Sequence, residues 1–179
     1  MKTFEFSIIA SGVDPDADDF GDRFYAAGCD DALVAYQKGH VIVDFAREAA
    51  SIDEAVASAI DDVRAAGAVI DRIEPDPLVS LADIAARTGL TRAAITNYFK
   101  GSRGRHFPAP VAKVTSDSPL WDWADVAHWM ASNAKVPMEL SVEASVLKEA
   151  NAAVGVGEKH LADRLKRRAM QAAQALKVA

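Results

Sequence analysis

A pair of prolines in the segment Glu74-Pro-Asp-Pro-Leu78 marks the strongest change along this chain. Acidic residues are concentrated before it: residues 1–77 contain 17 acidic and 6 basic side chains, whereas residues 78–136 contain 4 and 7 and residues 137–179 contain 5 and 7. Because proline fixes its own φ and lacks an N–H donor, two prolines among acidic neighbours favour a short, stiff connector. The sequence therefore predicts a domain of residues 1–77, a second domain of residues 78–136 and a tail of residues 137–179.

In residues 1–77 the apolar residues are spaced in some segments as in strands and in others as in helices. Four runs have the period of two that is typical of strands: TFEFSII, ALVAY, VIVDF and AVIDRI. A helix is indicated after the first run by apolar residues three and four apart: Ala17, Phe20, Phe24 and Ala27. A capping box from Ser51 to Glu54 indicates another helix after the third run, with Val56, Ile60 and Val63 facing inward. The predicted order is β-α-β-β-α-β, the ferredoxin-like arrangement, in an α+β chain.

A group of aspartates in the first domain resembles the start of a calcium loop: Asp14, Asp16, Asp18 and Asp19. The pattern fails, because Asp19 stands where such a loop needs glycine and Tyr25 stands where it needs a bidentate glutamate. The carboxylates are instead expected to cap the first helix. The single cysteine, Cys29, and four scattered histidines suggest neither a metal site nor a catalytic group, so no cofactor and no enzymatic activity are expected.

The second part has the spacing of a helix-turn-helix. Ser80 and Asp83 predict a capped helix, Gly89 a tight turn, and Thr91 the cap of a second helix that stops at Gly101. Six residues are expected to face its core: Leu81, Ile84, Ala85, Ile95, Tyr98 and Phe99.

The other face of the second helix is polar and cationic, and it suits the major groove of DNA. It presents Arg92, Ala93, Thr96, Asn97 and Lys100, and residues 84–116 include six basic side chains and no acidic one. Arginine can read guanine, asparagine can read adenine, and a small alanine allows close approach. A merely solvated helix face is the alternative interpretation.

A basic loop and two short apolar pieces follow, joined by a turn at residues 116–119, and Asp122 is expected to cap a closing helix. This order predicts a β-wing against a helix. The three tryptophans, Trp121, Trp123 and Trp129, are expected to pack in its core rather than stack on bases.

Residues 78–131 resemble the winged helix-turn-helix domains of the MerR superfamily, in particular its AlpA and excisionase-like branch. The similarity rests on SLADIAARTGLTRAAITNYFKG, FPAPV and WDWADVAHWM. It implies base contacts by Thr91, Arg92, Thr96 and Asn97, and phosphate contacts by Lys100, Arg103, Arg105 and Lys113. The turn at residues 116–119 is not basic, unlike that of many relatives, so the loop from Gly101 to His106 is the alternative contact.

The tail is helical in pattern, interrupted at residues 155–157, with a short seam at Ala162, Leu165, Ala169, Ala172 and Leu176. Similarity to MerR-type regulators, which dimerise through a C-terminal helix, implies a homodimer. The nearby cations Arg164, Lys166, Arg167 and Arg168 are interpreted as a solvated face, with contacts to phosphate as the alternative.

These features together predict a cytoplasmic transcriptional regulator that binds double-stranded DNA, with no membrane association. For the N-terminal domain the sequence leaves three binding partners open: a small ligand, another protein, or a second copy of the same domain. An excisionase-like architectural factor and an antitoxin that autoregulates its operon are the alternatives. An acylphosphatase-like enzyme is disfavoured, because the acidic loop after the first strand would repel phosphate.

Overall fold

The computed structural model describes residues 1–102, 104–154 and 161–178. Within these residues the chain is a mixed α+β structure with a four-stranded antiparallel sheet, a two-stranded sheet and seven helices. It forms two compact units, one of Met1–Pro75 with Val146–Met170 and one of Asp76–Ser145 with Gln171–Ala179. Residues of the predicted tail thus belong to both units. Its predicted interruption at residues 155–157 lies outside the described residues.

The first unit begins with the predicted order of strands and helices. Its elements are β1 (Lys2–Ser11), α1 (Phe20–Ala26), β2 (Ala32–Gln37), β3 (His40–Ala49), α2 (Ile52–Ala65) and β4 (Val69–Glu74). The strands lie in the order β2-β3-β1-β4, and all neighbours are antiparallel. α1 is shorter than its apolar spacing suggested, because Ala17 lies in the turn that precedes it.

One face of the sheet forms the core of this unit. β1 pairs with β3 so that Phe6 lies opposite Phe45 and Ile8 opposite Val43. All four side chains are buried, and the two phenylalanine rings stack with their centroids 5.4 Å apart. The inward residues predicted for α2 are fully buried as well: Val56, Ile60 and Val63. The period of two in the strands and of three to four in α2 therefore placed this core correctly.

The capping predictions for α1 and α2 are wrong. Asp19 is the residue before α1, but its carboxylate makes no cap hydrogen bond and instead binds Arg23, one turn later, at 2.8 Å. Ser51 precedes α2, and its hydroxyl also makes no cap bond, so the predicted box with Glu54 does not form. Burial of an apolar side maintains both helices without a side-chain cap, since Phe24 and Ile60 are completely buried.

A buried arginine joins α2 to the segment before β2. The guanidinium of Arg47 donates to Asp31 from Nε at 2.8 Å and from Nη2 at 2.9 Å, and to Asp62 at 2.7 Å. It also donates to Ser58 Oγ at 3.0 Å and to the carbonyl of Gly28 at 2.8 Å. Burial alone would lower the pKa of Arg47, but the hydrogen bonds with Asp31 and Asp62 outweigh it and raise that pKa above its usual value. The side chain is therefore a permanent cation whose donors are satisfied.

A side chain of α6 (Met138–Val154) hydrogen-bonds to the outer edge of β4. Asn151 Oδ1 accepts from the N–H of Ile73 at 2.8 Å, and Asn151 Nδ2 donates to the carbonyl of Ile73 at 2.9 Å. The carboxamide thus satisfies the backbone of Ile73 as a neighbouring strand would.

The second unit is built on helices and a short ladder. Its elements are β5 (Leu78–Val79), α3 (Leu81–Thr88), α4 (Arg92–Phe99), β6 (Trp121–Asp122) and α5 (Trp123–Ser132), together with the start of α6. β5 pairs with β6, with Val79 opposite Trp121. The core combines Val79 and Ile84 with Ile95 of α4 and the apolar side of α5.

The last helix, α7 (Leu161–Val178), has four of the five predicted seam residues on its buried or half-buried side. Leu165 is completely buried by the chain itself and Ala172 is nearly so, but Ala162 is exposed. Arg164 hydrogen-bonds to Glu149 of α6, so this member of the cationic group is paired. Leu165, the second residue of the seam, is therefore already packed within this chain.

Candidate nucleic-acid interface

Two capped helices joined by a tight turn form the centre of the candidate interface. Ser80 Oγ accepts from the N–H of Asp83 at 3.2 Å, and the N–H of Ser80 donates to Asp83 Oδ2 at 2.8 Å, which completes the predicted capping box at α3. α3 ends at Gly89, with a φ of 69° that favours glycine. Thr91 then caps α4, its Oγ1 accepting from the N–H of Ala94 at 3.2 Å. The predicted helices and their caps are confirmed here.

The inward side of α4 rests on the core of this unit. Ile95 is completely buried, and Tyr98 is partly buried with its ring centroid 5.4 Å from that of Trp129. Phe99 was expected to face the core but is 40% exposed, although its ring packs at 80° against that of Trp121, with 5.0 Å between centroids. The helix therefore has one firmly packed side, and Phe99 lies at the border of the other.

The opposite side of α4 carries the residues that were predicted to meet bases. Arg92 and Thr91 are exposed, whereas Thr96 and Asn97 are half-buried. Thr96 Oγ1 donates to the carbonyl of Arg92 at 2.9 Å, so its hydroxyl hydrogen is already engaged within the helix. Thr91 uses an oxygen lone pair as the cap acceptor and keeps its hydroxyl hydrogen available. Arg92 and Asn97 thus carry the most capacity for hydrogen bonding on this face.

The predicted phosphate contacts lie at the end of α4 and in the segments that follow. Lys100 is exposed directly after the helix, and Arg105 is exposed in the loop from Gly101 to His106. Arg103 lies outside the described residues. Lys113 is exposed at a bend with a φ of 49° and begins the loop of residues 113–119.

The predicted wing is reduced to a single bridge. Ala112 pairs with Leu120, with backbone N–O distances of 3.1 and 2.9 Å. The intervening loop of residues 113–119 is longer than the turn expected at residues 116–119. Lys113 starts this loop, and its carbonyl accepts from both the N–H and the hydroxyl of Ser116 at 2.9 Å. Those bonds hold the backbone of Lys113 and leave its ammonium group exposed.

Two tryptophans of the core hold the chain that follows α4. Trp129 Nε1 donates to the carbonyl of Arg105 at 2.9 Å, and Trp121 Nε1 donates to the carbonyl of Pro108 at 3.0 Å. Phe107 lies between these anchors, its ring edge-on to Trp129 at 5.1 Å between centroids. Trp121, Trp123 and Trp129 are 0%, 4% and 8% exposed, which confirms the prediction that they pack in the core.

Gly104 is a positioning residue that the sequence analysis missed. Its φ is 84°, and a Cβ placed on it would lie 2.9 Å from two atoms of the Trp129 ring. Glycine therefore allows the basic loop to lie directly on the indole. The spacing of Gly101 and Gly104 in the loop was the available signal, but it does not say which ring the backbone would approach.

Two acidic residues that flank this surface in the sequence cap helices. Hydrogen bonds from the Ser80 hydroxyl and the Ser80 N–H hold the pKa of Asp83 below its usual range, as expected for a carboxylate in a capping box. Asp122 caps α5, accepting from the N–H of Ala124 at 2.9 Å. Within the part of the chain that the structure describes, no ion pair involves Arg92, Lys100, Arg105 or Lys113. Their charges are therefore available to an anionic partner.

Comparison of the chain with family models, with curated proteins and with solved structures gives no match. Among the described residues, no three His, Cys, Asp or Glu side chains are grouped so that they could hold a metal ion. In the same residues no helix combines the length and the apolar composition that crossing a membrane requires.

Proposed function

We propose that residues 76–145 bind double-stranded DNA, with α4 in the major groove, and that the protein regulates transcription. The observation that carries this proposal is the polar side of α4, which presents exposed Arg92 and half-buried Asn97 on a helix that is capped and packed on its opposite side. A helix held this firmly can present side chains to base edges at little further cost in conformational entropy.

Arg92 and Asn97 are the base-reading residues in this proposal. Arginine can bind guanine O6 and N7 in a bidentate manner, and asparagine can do the same with adenine N6 and N7. Ala93 is exposed between them and lets the helix backbone approach the groove. Thr91 and Thr96 add contacts within the limits of the hydrogen bonds that they already make.

Lys100, Arg105 and Lys113 are the phosphate contacts. All three are exposed cations, and the anchoring of the Arg105 carbonyl by Trp129 favours a fixed position for the basic loop. Phosphate contacts orient a protein on the duplex without reading its sequence. Arg103 belongs to the same group by its place in the sequence.

We also propose a fold family for each of the two units. The order β2-β3-β1-β4, with a helix after β1 and another after β3, supports a ferredoxin-like module in the first unit. The two capped helices and the Ala112–Leu120 bridge support a winged helix-turn-helix related to the MerR superfamily in the second.

The test is selection of sites from a pool of random duplexes by the full chain, followed by titration of the selected site over a salt series. We expect one enriched motif, and we expect Arg92→Ala or Asn97→Ala to cost roughly 1 to 3 kcal/mol on that motif only. Lys100→Ala should weaken selected and scrambled duplexes alike and reduce the salt slope by about one unit.

Lys135→Ala is the matched control, because it removes one exposed cation of the same unit from outside α4 and the basic loop. It should leave both affinity and slope unchanged. Failure to enrich any motif, or equal losses for Arg92→Ala on selected and scrambled duplexes, would refute the assignment of α4 as the reading helix. Mapping of the bound sites in cells separates regulation from recombination, since an architectural factor would occupy attachment sites instead of promoters.

A further inference from the structure

The two edge strands of the four-stranded sheet, β4 and β2, differ in whether their outer backbone groups have hydrogen-bond partners. At β4 the Asn151 carboxamide occupies the N–H and the carbonyl of Ile73, as described above. At β2, the opposite edge, no strand of the described residues pairs on the outer side. An unpaired edge is a template for another strand unless a charge, a proline or a bulge blocks it.

The hairpin between β2 and β3 determines which backbone groups of β2 point outward. Lys38 and Gly39 have φ values of 54° and 84°, as in a two-residue type I′ turn, so Gln37 and His40 form the hydrogen-bonded pair next to the turn. Hydrogen-bonded pairs then recur at every second residue of β2. Outside the strand, the carbonyl of Asp31 accepts from the N–H of Ala46 at 3.1 Å, in agreement with this alternation.

Val34 and Tyr36 therefore direct their N–H and carbonyl groups away from the sheet. Ala32 also lies on this side, but its N–H already donates to the carbonyl of Cys29 at 3.2 Å. Strand β2 contains no charged residue and no proline, and four of its six residues are exposed, among them Leu33 by 69% and Tyr36 by 51%. Neither a charge nor a proline within the strand therefore blocks this edge.

We propose that β2 pairs with β2 of a second copy of this chain, antiparallel and centred on Ala35. In this register Val34 of each copy lies opposite Tyr36 of the other, and because both residues have outward backbone groups the two pairs form four hydrogen bonds. The smallest side chain of the segment, Ala35, meets its own copy at the two-fold axis, where non-hydrogen-bonded Cα atoms approach to about 4.5 Å. Leu33 lies opposite Gln37.

The side chains and charges around this axis are self-complementary. A β-branched residue opposite an aromatic one, as Val34 is opposite Tyr36, is a favourable cross-strand pair. Beyond the strand, the same register brings exposed Lys38 of one copy diagonally close to exposed Asp30 of the other, and it does so twice because of the symmetry. A register centred on Val34 would instead require the N–H of Ala32, which is already used.

Disulfide cross-linking of cysteine variants of the full chain tests this register directly. Disulfides form between Cα atoms about 4.4 to 6.8 Å apart, so Ala35→Cys should give a cross-linked dimer under mild oxidation. Leu33→Cys is the matched control on the same strand and face. In the proposed register it lies opposite Gln37, four residues from Leu33 of the other copy, so it should not cross-link. Ala46→Cys is a second control, which places an exposed thiol on β3. The native chain controls for Cys29, which is buried.

Sedimentation of the native chain should give the mass of a dimer, and Ala35→Arg should reduce it to that of a monomer by placing two like charges together. A mixture of Ala35→Arg and Ala35→Glu should recover the dimer mass. A native chain that stays monomeric at every concentration, or cross-linking that is stronger at residue 33 or 46 than at residue 35, would overturn the proposal. DNA binding by α4 is measured separately, so the failure of either proposal leaves the other intact.

Discussion

The indole nitrogen of Trp129 donates a hydrogen bond to the backbone carbonyl of Arg105 at 2.9 Å. This bond connects α5 to the basic loop that follows α4, although the two residues are separated by 24 positions in the chain. The same indole contacts the Tyr98 ring of α4, with centroids 5.4 Å apart. One core side chain thus positions both the proposed reading helix and the proposed phosphate-binding loop.

Trp129→Phe should remove the hydrogen bond to Arg105 and also the part of the indole that lies against Gly104. Because a buried ring is shortened and a hydrogen bond is lost, we expect the free energy of unfolding to fall by about 2 kcal/mol or more. Urea denaturation measures this, and His128→Ala, an exposed change on the same helix, should stay within about 0.5 kcal/mol of the native chain. Proteolysis within residues 101–106 should become faster in Trp129→Phe, and an unchanged cleavage rate would show that the indole does not order the loop.

Gly104→Ala should destabilise the chain more than Gly101→Ala does. Both glycines have positive φ, of 84° and 74°, so each alanine incurs a backbone cost of about 1 kcal/mol. At Gly104 the new Cβ would also lie 2.9 Å from the Trp129 ring, whereas nothing lies within 4 Å at Gly101. The difference between the two variants in urea denaturation therefore measures the close contact with the indole, and equal losses would argue against it.

Arg47→Met should strongly destabilise the first unit. The substitution keeps an extended apolar side chain but leaves the Asp31 and Asp62 carboxylates without their cation, and loss of one partner of a buried pair costs about 3 kcal/mol or more. Arg23→Ala is the control, because it breaks an exposed pair with Asp19 that solvent screens and that therefore adds little to stability. Comparable losses in the two variants would mean that the Arg47 network does not stabilise the fold.

Acid should destabilise the first unit partly through Asp31. The hydrogen bond from Arg47 holds the pKa of Asp31 below its usual value in the folded chain. A lowered folded pKa contributes stability above the unfolded pKa of about 3.9, and this contribution is lost as the pH falls through the folded value. Denaturation midpoints between about pH 2 and 6 should therefore fall less steeply in Arg47→Met than in the native chain, and parallel profiles would contradict the assignment.

Cys29 should be unreactive while the chain is folded. It is 2% exposed, and burial, with a contribution from Asp62, raises the pKa of its thiol to about 11. Only the thiolate reacts readily with disulfide reagents, so at pH 8 we expect a thiol titration to detect almost no reaction until denaturant is added. Rapid reaction of the native chain would show that this region opens in solution.

Local patterns in the sequence were sufficient to predict much of both units. Alternation in the first strands and the three-to-four spacing of Val56, Ile60 and Val63 depend only on which side of an element faces the core. The caps at Ser80 and Thr91 were also predictable, since a cap needs only residues three positions apart. The tryptophans were predictable as core residues because rings of that size are costly to expose.

Tertiary structure alone decided the contacts between residues that are distant in the chain. Nothing local to Asn151 indicates that its carboxamide covers the edge of β4 at Ile73, and nothing local to Gly104 indicates that it lies on Trp129. Phe99 fits a helix period that predicts burial, yet it lies at the border of the core and stays 40% exposed. A sequence period specifies the direction in which a side chain points, whereas burial depends on which distant residues fold against it, and that depends on the packing of the whole unit.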